Sequence, residues 1–212
     1  KMLRKLYIIL LLMTFTVTLH AQIEEKNSFV AGIDIKLGDF TNDDHSLGGA
    51  LIHGGYDINF CNLTFLSIEP KLGVGYFHGS YTHTFETYSH SEYNIGGIIT
   101  GVSPKLKISI NDDDNVFLFI ENEFSLFNAF ASVKDKNSTR TRRENYYGYF
   151  YYTGKIGILV KYSDNSKLGF WVGGSTLSFD RMLNKGLERN QARYNSEDAS
   201  ICVGLDYYFK YK

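Results

Sequence analysis

The chain has 212 residues, enough for one domain, and carries 22 basic and 23 acidic residues for a formal net charge of −1. That balance gives no support to nucleic-acid binding, and two cysteines are too few for a small secreted domain stapled by disulfides. A mean hydropathy of −0.20 taken alone describes a soluble protein, but an average of this kind hides strict alternation of apolar and polar residues.

At the N-terminus, Lys1, Arg4 and Lys5 precede the apolar run Leu6 to Val17, and Leu19-His20-Ala21 follows with a small final residue. This order is that of a secretory signal peptide over residues 1–21, leaving 22–212 as the folded domain. Loss of those three basic residues leaves 19 basic against 23 acidic, a net charge of about −4. Beyond residue 21 no apolar run reaches the ~18 residues of a transmembrane helix.

Segments of period two follow instead. In the first, Phe29, Ala31, Ile33, Ile35 and Leu37 share one face, and Gly32, Asp34 and Lys36 share the other. A segment near 47–58 fits less cleanly. Around 66–76, Leu66, Ile68, Leu72, Val74 and Tyr76 oppose Ser67, Glu69, Lys71, Gly73 and Gly75. Segments near 93–108 and 116–127 come next. Over 148–162, Phe150, Tyr152, Ile156, Ile158, Val160 and Tyr162 oppose Tyr151, Thr153, Lys155, Gly157 and Lys161. A segment near 168–179 precedes the last, where Ile201, Val203, Leu205, Tyr207, Phe209 and Tyr211 alternate with Cys202, Gly204, Asp206, Tyr208 and Lys210.

These are eight strands. Asn59–Asn62, Asn111–Asn115 and Ser163–Lys167 read as tight turns, and Asp39–Ser46, Phe77–Glu92, Asn128–Tyr146 and Asp180–Asp198 as longer polar loops. Alternation of long and short connections is the pattern of an outer-membrane barrel with short periplasmic turns and long extracellular loops. The expected fold is all-β, an eight-stranded antiparallel up-and-down transmembrane β-barrel with both termini periplasmic. Aromatic residues at strand ends (Tyr76 and Phe77, Tyr146 to Tyr152, Tyr162, Tyr207 to Tyr211) are expected as interfacial girdles. Cys61 falls at a turn and Cys202 well up the last strand, so no bond between them is expected.

An eight-stranded barrel is just wide enough for its own side chains to fill it. The inward set is charged: Asp34, Lys36, Asp57, Glu69, Lys71, Lys105, Lys107, Glu121, Glu123, Lys155, Lys161 and Asp206. Buried charges need partners. Pairing about the Asn111–Asn115 turn sets Lys105 opposite Glu121, and Glu123 shares its height with Lys155. A plugged lumen without a water channel is the expectation.

The ending Val203-Gly-Leu-Asp-Tyr-Tyr-Phe209 resembles the aromatic-terminated last strand read by the barrel-assembly machinery, here extended by Lys210-Tyr211-Lys212. The His-Ala-Gln cleavage region is similar to signal peptides of Bacteroidota. Together they resemble the outer membrane β-barrel family of OmpA/OmpX type, the "porin family", over roughly residues 22–212. The resemblance implies the bacterial outer membrane, contact with its lipid and lipopolysaccharide, the assembly machinery as a partner through the last strand, a monomer and no cofactor. It implies architecture and not activity.

Among local candidates, His78 and Ser80 share a strand face, where a His can activate a hydroxyl, and Glu92 returns to the same level. The set resembles that of outer-membrane lipid A deacylases, with His78 as base, Ser80 as nucleophile and Glu92 as orienting acid. Tyr81 stands where that family has Asn, and the family's downstream Asn-Pro-Gly context is missing. His78, His83 and His90 with Glu86 do not repeat a known metal-ligand spacing. A basic set, Lys134, Lys136, Arg140, Arg142 and Arg143, suits phosphate contact, although a solvated loop is the simpler reading. The acidic Asp39, Asp43 and Asp44 lack the length and the Gly and Glu positions of an EF-hand. Asn62-Leu63-Thr64 and Asn137-Ser138-Thr139 match a glycosylation pattern by chance.

The favoured expectation is a non-enzymatic barrel presenting four loops for envelope integrity or adhesion. The alternatives are a lipid A hydrolase, a narrow porin-like channel, and a soluble lipocalin-like barrel with the two faces exchanged.

Overall fold

The computed structural model describes residues 27–38, 45–60, 63–85, 87–111, 115–135, 141–177 and 200–210. They form β1 (Ser28–Gly38), β2 (His45–Phe60), β3 (Leu63–Phe85), β4 (Thr87–Ser109), β5 (Val116–Asp135), β6 (Thr141–Ser163), β7 (Ser166–Ser175) and β8 (Ser200–Phe209). Each strand pairs with its chain neighbours, and β1 pairs antiparallel with β8, so the sheet closes into a barrel. Closure leaves no edge, because every strand has a partner on both sides.

The period-two faces explain the closure. Along β1, burial alternates residue by residue, with Val30, Asp34 and Lys36 inside and Phe29, Ile33, Ile35 and Leu37 outside. The outward band continues through Ile52, Leu72, Val74, Ile98, Ile120, Ile156, Phe170, Val172, Ile201 and Val203. The exchanged arrangement of a soluble barrel is not what the chain adopts: charges lie within and aliphatic side chains without.

At the end bearing the short turns, outward rings form a row across neighbouring strands. Tyr56, Phe29, Phe209, Tyr207 and Tyr162 follow one another at centroid separations of 4.9, 5.7, 5.7 and 6.3 Å. The two-residue turn Asp164–Asn165 closes one hairpin at this end. Asn111 stabilises another connection by accepting the backbone N–H groups of Asn115 and Val116 on its Oδ1.

Three expectations need correction. Phe77–Glu92 is not a long loop: β3 runs to Phe85 and β4 starts at Thr87, paired up to their ends. Asn128–Tyr146 is likewise mostly strand, with β5 running to Asp135 and β6 starting at Thr141. Polar composition misled here, because backbone pairing can continue along a hairpin that has no apolar face. Finally, Phe77, Tyr146, Tyr151 and Tyr208 do not belong to a girdle. The first three are buried in the lumen with Leu51, Tyr93, Ile95 and Phe127, and Tyr208 is buried there with Val30 and Phe119. The expectations for residues 1–21, Cys61, the acidic Asp39, Asp43 and Asp44, and Asp180–Asp198 lie outside the described residues.

A bulge makes the upper lumen possible. Phe127 pairs with Tyr149 but Ala129 pairs with Tyr146, so Asn128 opposes two residues of β6. Gly148 takes the positive φ of 69° that this needs, and its N–H donates to Asn128 Oδ1 at 3.0 Å. The extra residue exchanges the faces of β6. On the turn side of the bulge, Tyr151 and Thr153 point inward; on the hairpin side, Tyr146 points inward and Tyr147 out.

Candidate functional site

The inward charges named from the sequence come together in one lumen network. Lys105 stands opposite Glu121 in the register, with Nζ 3.0 Å from Glu121 and 2.8 Å from Glu69. Lys71 reaches Glu121 at 2.6 Å, and Lys155 reaches Glu123 at 2.7 Å and Glu121 at 3.3 Å. Tyr208 on β8 accepts a hydrogen bond from Lys105 through its hydroxyl at 2.5 Å. The ladder is a consequence of parity: Glu121 and Glu123 are two apart on β5, so both enter the lumen and share the same lysines.

Lys36 differs from the other lysines. Its ammonium lies 3.4 Å from the hydroxyls of Thr153 and Ser175 and 4.4 Å from the centre of the Tyr151 ring. Lys155 also sits over a ring, that of Trp171, at 4.1 Å. Cation–π contact of this kind supplements ion pairing where water is excluded. Trp171 has room because its neighbour on β8 is Gly204, where a Cβ would collide with the indole. Lys161 is not part of the network: it is partly exposed and pairs with Asp164 at the turn, 2.9 Å away.

Two apolar layers bracket these charges. The layer toward the turns holds Val30, Phe119, Leu159 and Tyr208, and the layer toward the long hairpins holds Phe77, Tyr93, Phe127 and Tyr146. Below the first, Lys107 pairs with Asp57 at 2.5 Å and donates to Asn59 at 3.0 Å. The sequence reading described the inward faces as charged and overlooked these layers. Their signal was Phe77, Tyr151 and Tyr208 falling on the inward parity.

No family model matches the chain, and no curated protein is similar to it in sequence. Solved structures of outer-membrane proteins resemble it at low identity. Neisserial surface protein A is 12% identical, with a TM-score of 0.46 over 88% of this chain and 97% of that one. The attachment invasion locus protein Ail of Yersinia pestis is 10% identical, with a TM-score of 0.42 over 86% and 96%. The outer membrane protease OmpT of Escherichia coli is 8% identical, with a TM-score of 0.45 over 86% and 95%.

The deacylase-like trio lies on the outer face of the β3–β4 hairpin. Ser80 stands directly opposite Glu92, and His78 opposite Asn94. His78 Nδ1 is 2.9 Å from Asn94 Oδ1, which also accepts from the Tyr76 hydroxyl at 2.7 Å. The imidazole is thus oriented by Asn94. An amide is not the carboxylate that orients the base in a triad, and Glu92 stands opposite Ser80 rather than His78.

Of the basic set, Lys134 and Arg143 are exposed near the tip of the β5–β6 hairpin, and Arg142 pairs in the backbone with Val133. Lys136 and Arg140 lie outside the described residues, as do the side chains of His83 and His90.

The sequence reading missed His53, since the pattern of the second strand was unclear. It is buried on β2 between two carboxylates, with Nδ1 3.5 Å from Asp34 and Nε2 3.2 Å from Asp206.

Proposed function

We propose that this chain is a bacterial outer-membrane β-barrel with a plugged lumen, a non-enzymatic scaffold that carries extracellular hairpins for envelope integrity or surface adhesion. The observation that carries this reading is the polarity of the wall. Ion pairs fill the interior, and the exterior is a continuous aliphatic band edged by stacked rings. Water would penalise such an exterior by about 25 cal/mol for each Å² of apolar surface, a penalty that a hydrocarbon surrounding removes. Closure of the sheet satisfies the other demand of the hydrocarbon core, that every backbone polar group be paired within the protein.

The plug follows from the layers. Phe77 and Phe127 meet edge to face at 5.9 Å on one side of the charged network, and Phe119 and Leu159 lie on the other. Ions crossing such a lumen would have to part aromatic contacts and the Lys–Glu pairs together.

The hairpins are the contact surface in this reading, because β3 to β6 have 20 or more residues and β1, β7 and β8 have 10 or 11. The excess of about ten residues at ~3.3 Å each amounts to roughly 30 Å of strand length, and less along the barrel axis because strands tilt. Lys134 and Arg143 on the β5–β6 hairpin would meet lipopolysaccharide phosphates. The aromatic end of β8 would be read by the assembly machinery, and the termini would face the periplasm.

The test combines two measurements on the outer-membrane fraction. A band whose mobility shifts on boiling is the expected result, together with the absence of stable conductance steps in planar bilayers. An unshifted band in the soluble fraction would overturn the membrane reading, and reproducible steps would overturn the plug.

A further inference from the structure

Among the described residues, six carboxylates and five lysines are buried in the lumen: Asp34, Asp57, Glu69, Glu121, Glu123 and Asp206, against Lys36, Lys71, Lys105, Lys107 and Lys155. Four of the acids have a lysine ammonium within 2.8 Å. Asp34 and Asp206 do not. The lysine nearest Asp34 is Lys155 at 3.8 Å, already engaged by Glu123 at 2.7 Å, and the ion partner of Asp206 among the described residues is His53 alone. Both aspartates and His53 are buried, and among the described residues their oxygens and ring nitrogens lack well-aligned hydrogen-bond partners, His53 Nε2 standing 3.2 Å from Asp206 Oδ1. Buried polar atoms in that condition are costly, and a ligand is one of the few ways to relieve them.

We propose that Asp34, His53 and Asp206 form a binding site for a divalent transition-metal ion inside the barrel. One ligand atom from each lies within 4.8 Å of the others. Ligands of a tetrahedral zinc ion at bonds of about 2.0–2.1 Å stand ~3.4 Å apart, so for a metal on Nε2 the Asp34 carboxylate, which stands 3.5 Å from Nδ1, must turn toward the Asp206 side, and the widest separation must close by about 1.4 Å. His53 Nε2 and Asp206 Oδ1 are already 3.2 Å apart. One imidazole and two carboxylates suit zinc, manganese or ferrous iron, and two carboxylate charges match a dication.

The barrel holds the site open by omitting a side chain. Gly32 on β1 pairs with His53 on one side and Asp206 on the other. A Cβ there would collide with Asp206 Oδ1 and lie 2.5 Å from His53 Cε1. The three ligands come from three adjacent strands, His53 and Asp206 level with Gly32 and Asp34 two residues further along β1, and metal binding would tie β8 to β1 and β2 at the seam where the barrel closes. The lysines facing the site from β3 and β6, Lys71 and Lys155, stay with the glutamates.

The test is to refold the full chain in detergent micelles with zinc, isolate the folded form, and count metal per chain by mass spectrometry. One zinc per chain is expected, with a cobalt-substituted form showing visible bands of mixed nitrogen and oxygen ligation. His53→Gln and Asp206→Asn should each weaken binding by more than about 100-fold, beyond the loss caused by removing a supporting partner. His78→Gln, which alters an exposed imidazole, should leave the count unchanged. Folded wild-type protein without zinc, or zinc retained in both site variants, would overturn the assignment. If the variants do not fold, the wild-type count and the cobalt spectrum still decide. Folding is read separately from the heat-shifted band, so failure of this site is distinguishable from failure of the barrel reading.

Discussion

Lys107 and Asp57 form the most isolated buried pair of the lumen, apart from the shared Lys–Glu ladder. Replacing Lys107 by Met leaves a carboxylate without its cation, and such a loss costs about 3–5 kcal/mol. Replacing both, with Asp57→Leu added, should recover most of that loss, because paired apolar groups carry no desolvation cost. Urea unfolding of the refolded barrel, read by the heat-shifted band, measures the difference. Equal stability of the single and double variants would show the pair to be solvated. At the trio on the outer face, Ser80→Ala should leave the acyl pattern of cellular lipid A unchanged, as read by mass spectrometry. A change there would favour the hydrolase reading over the non-enzymatic one.

Among the elements, β6 shows how one residue decides the content of the lumen. Gly148 at φ 69° occupies a conformation that costs other residues roughly 1–2 kcal/mol, more when β-branched. Gly148→Val should therefore lower unfolding stability by at least that amount, although open space surrounds the position. Gly148→Asn should be milder, since Asn tolerates this region. Equal losses for Val and Asn would point away from backbone strain. The bulge could not be read from the sequence. Alternation over 148–162 puts Tyr151, Thr153 and Lys155 inside, where they lie, but extrapolating that parity toward the hairpin tip places Tyr147 in the lumen, where Tyr146 in fact lies. The ends of β3 to β6 were illegible for another reason. Past the apolar band β3, β4 and β6 are polar at most positions of either parity, so alternation fades while backbone pairing continues, whereas β5 keeps Ala129, Ala131 and Val133 on one parity past Phe127.

For the whole molecule, the proposed orientation puts the β5–β6 hairpin outside the cell and the Asp164 turn in the periplasm. In a chain with Cys61 replaced by Ser, a cysteine replacing Arg143 should react with an impermeant maleimide on intact cells, whereas one replacing Asp164 should react after the outer membrane is opened. The reverse pattern would invert the barrel. Cys202, a free buried thiol, should not react in either case.

Strand number, the direction of each clean strand face and the identity of most lumen charges were determined by the sequence alone, because a side chain's face follows from parity and a barrel has only two faces. The register about the β4–β5 turn was also local, set by hairpin length, and it brought Lys105 to Glu121. What only the tertiary structure decided is which side chains meet at one level inside the closed wall, whether from consecutive strands or from strands apart in the chain. Asp206 reaches His53 past Gly32, Trp171 finds space at Gly204, and Phe77 meets Phe127. None of these contacts can be inferred from alternation, since parity says which side of the wall a residue occupies and nothing of which height or neighbour it meets there.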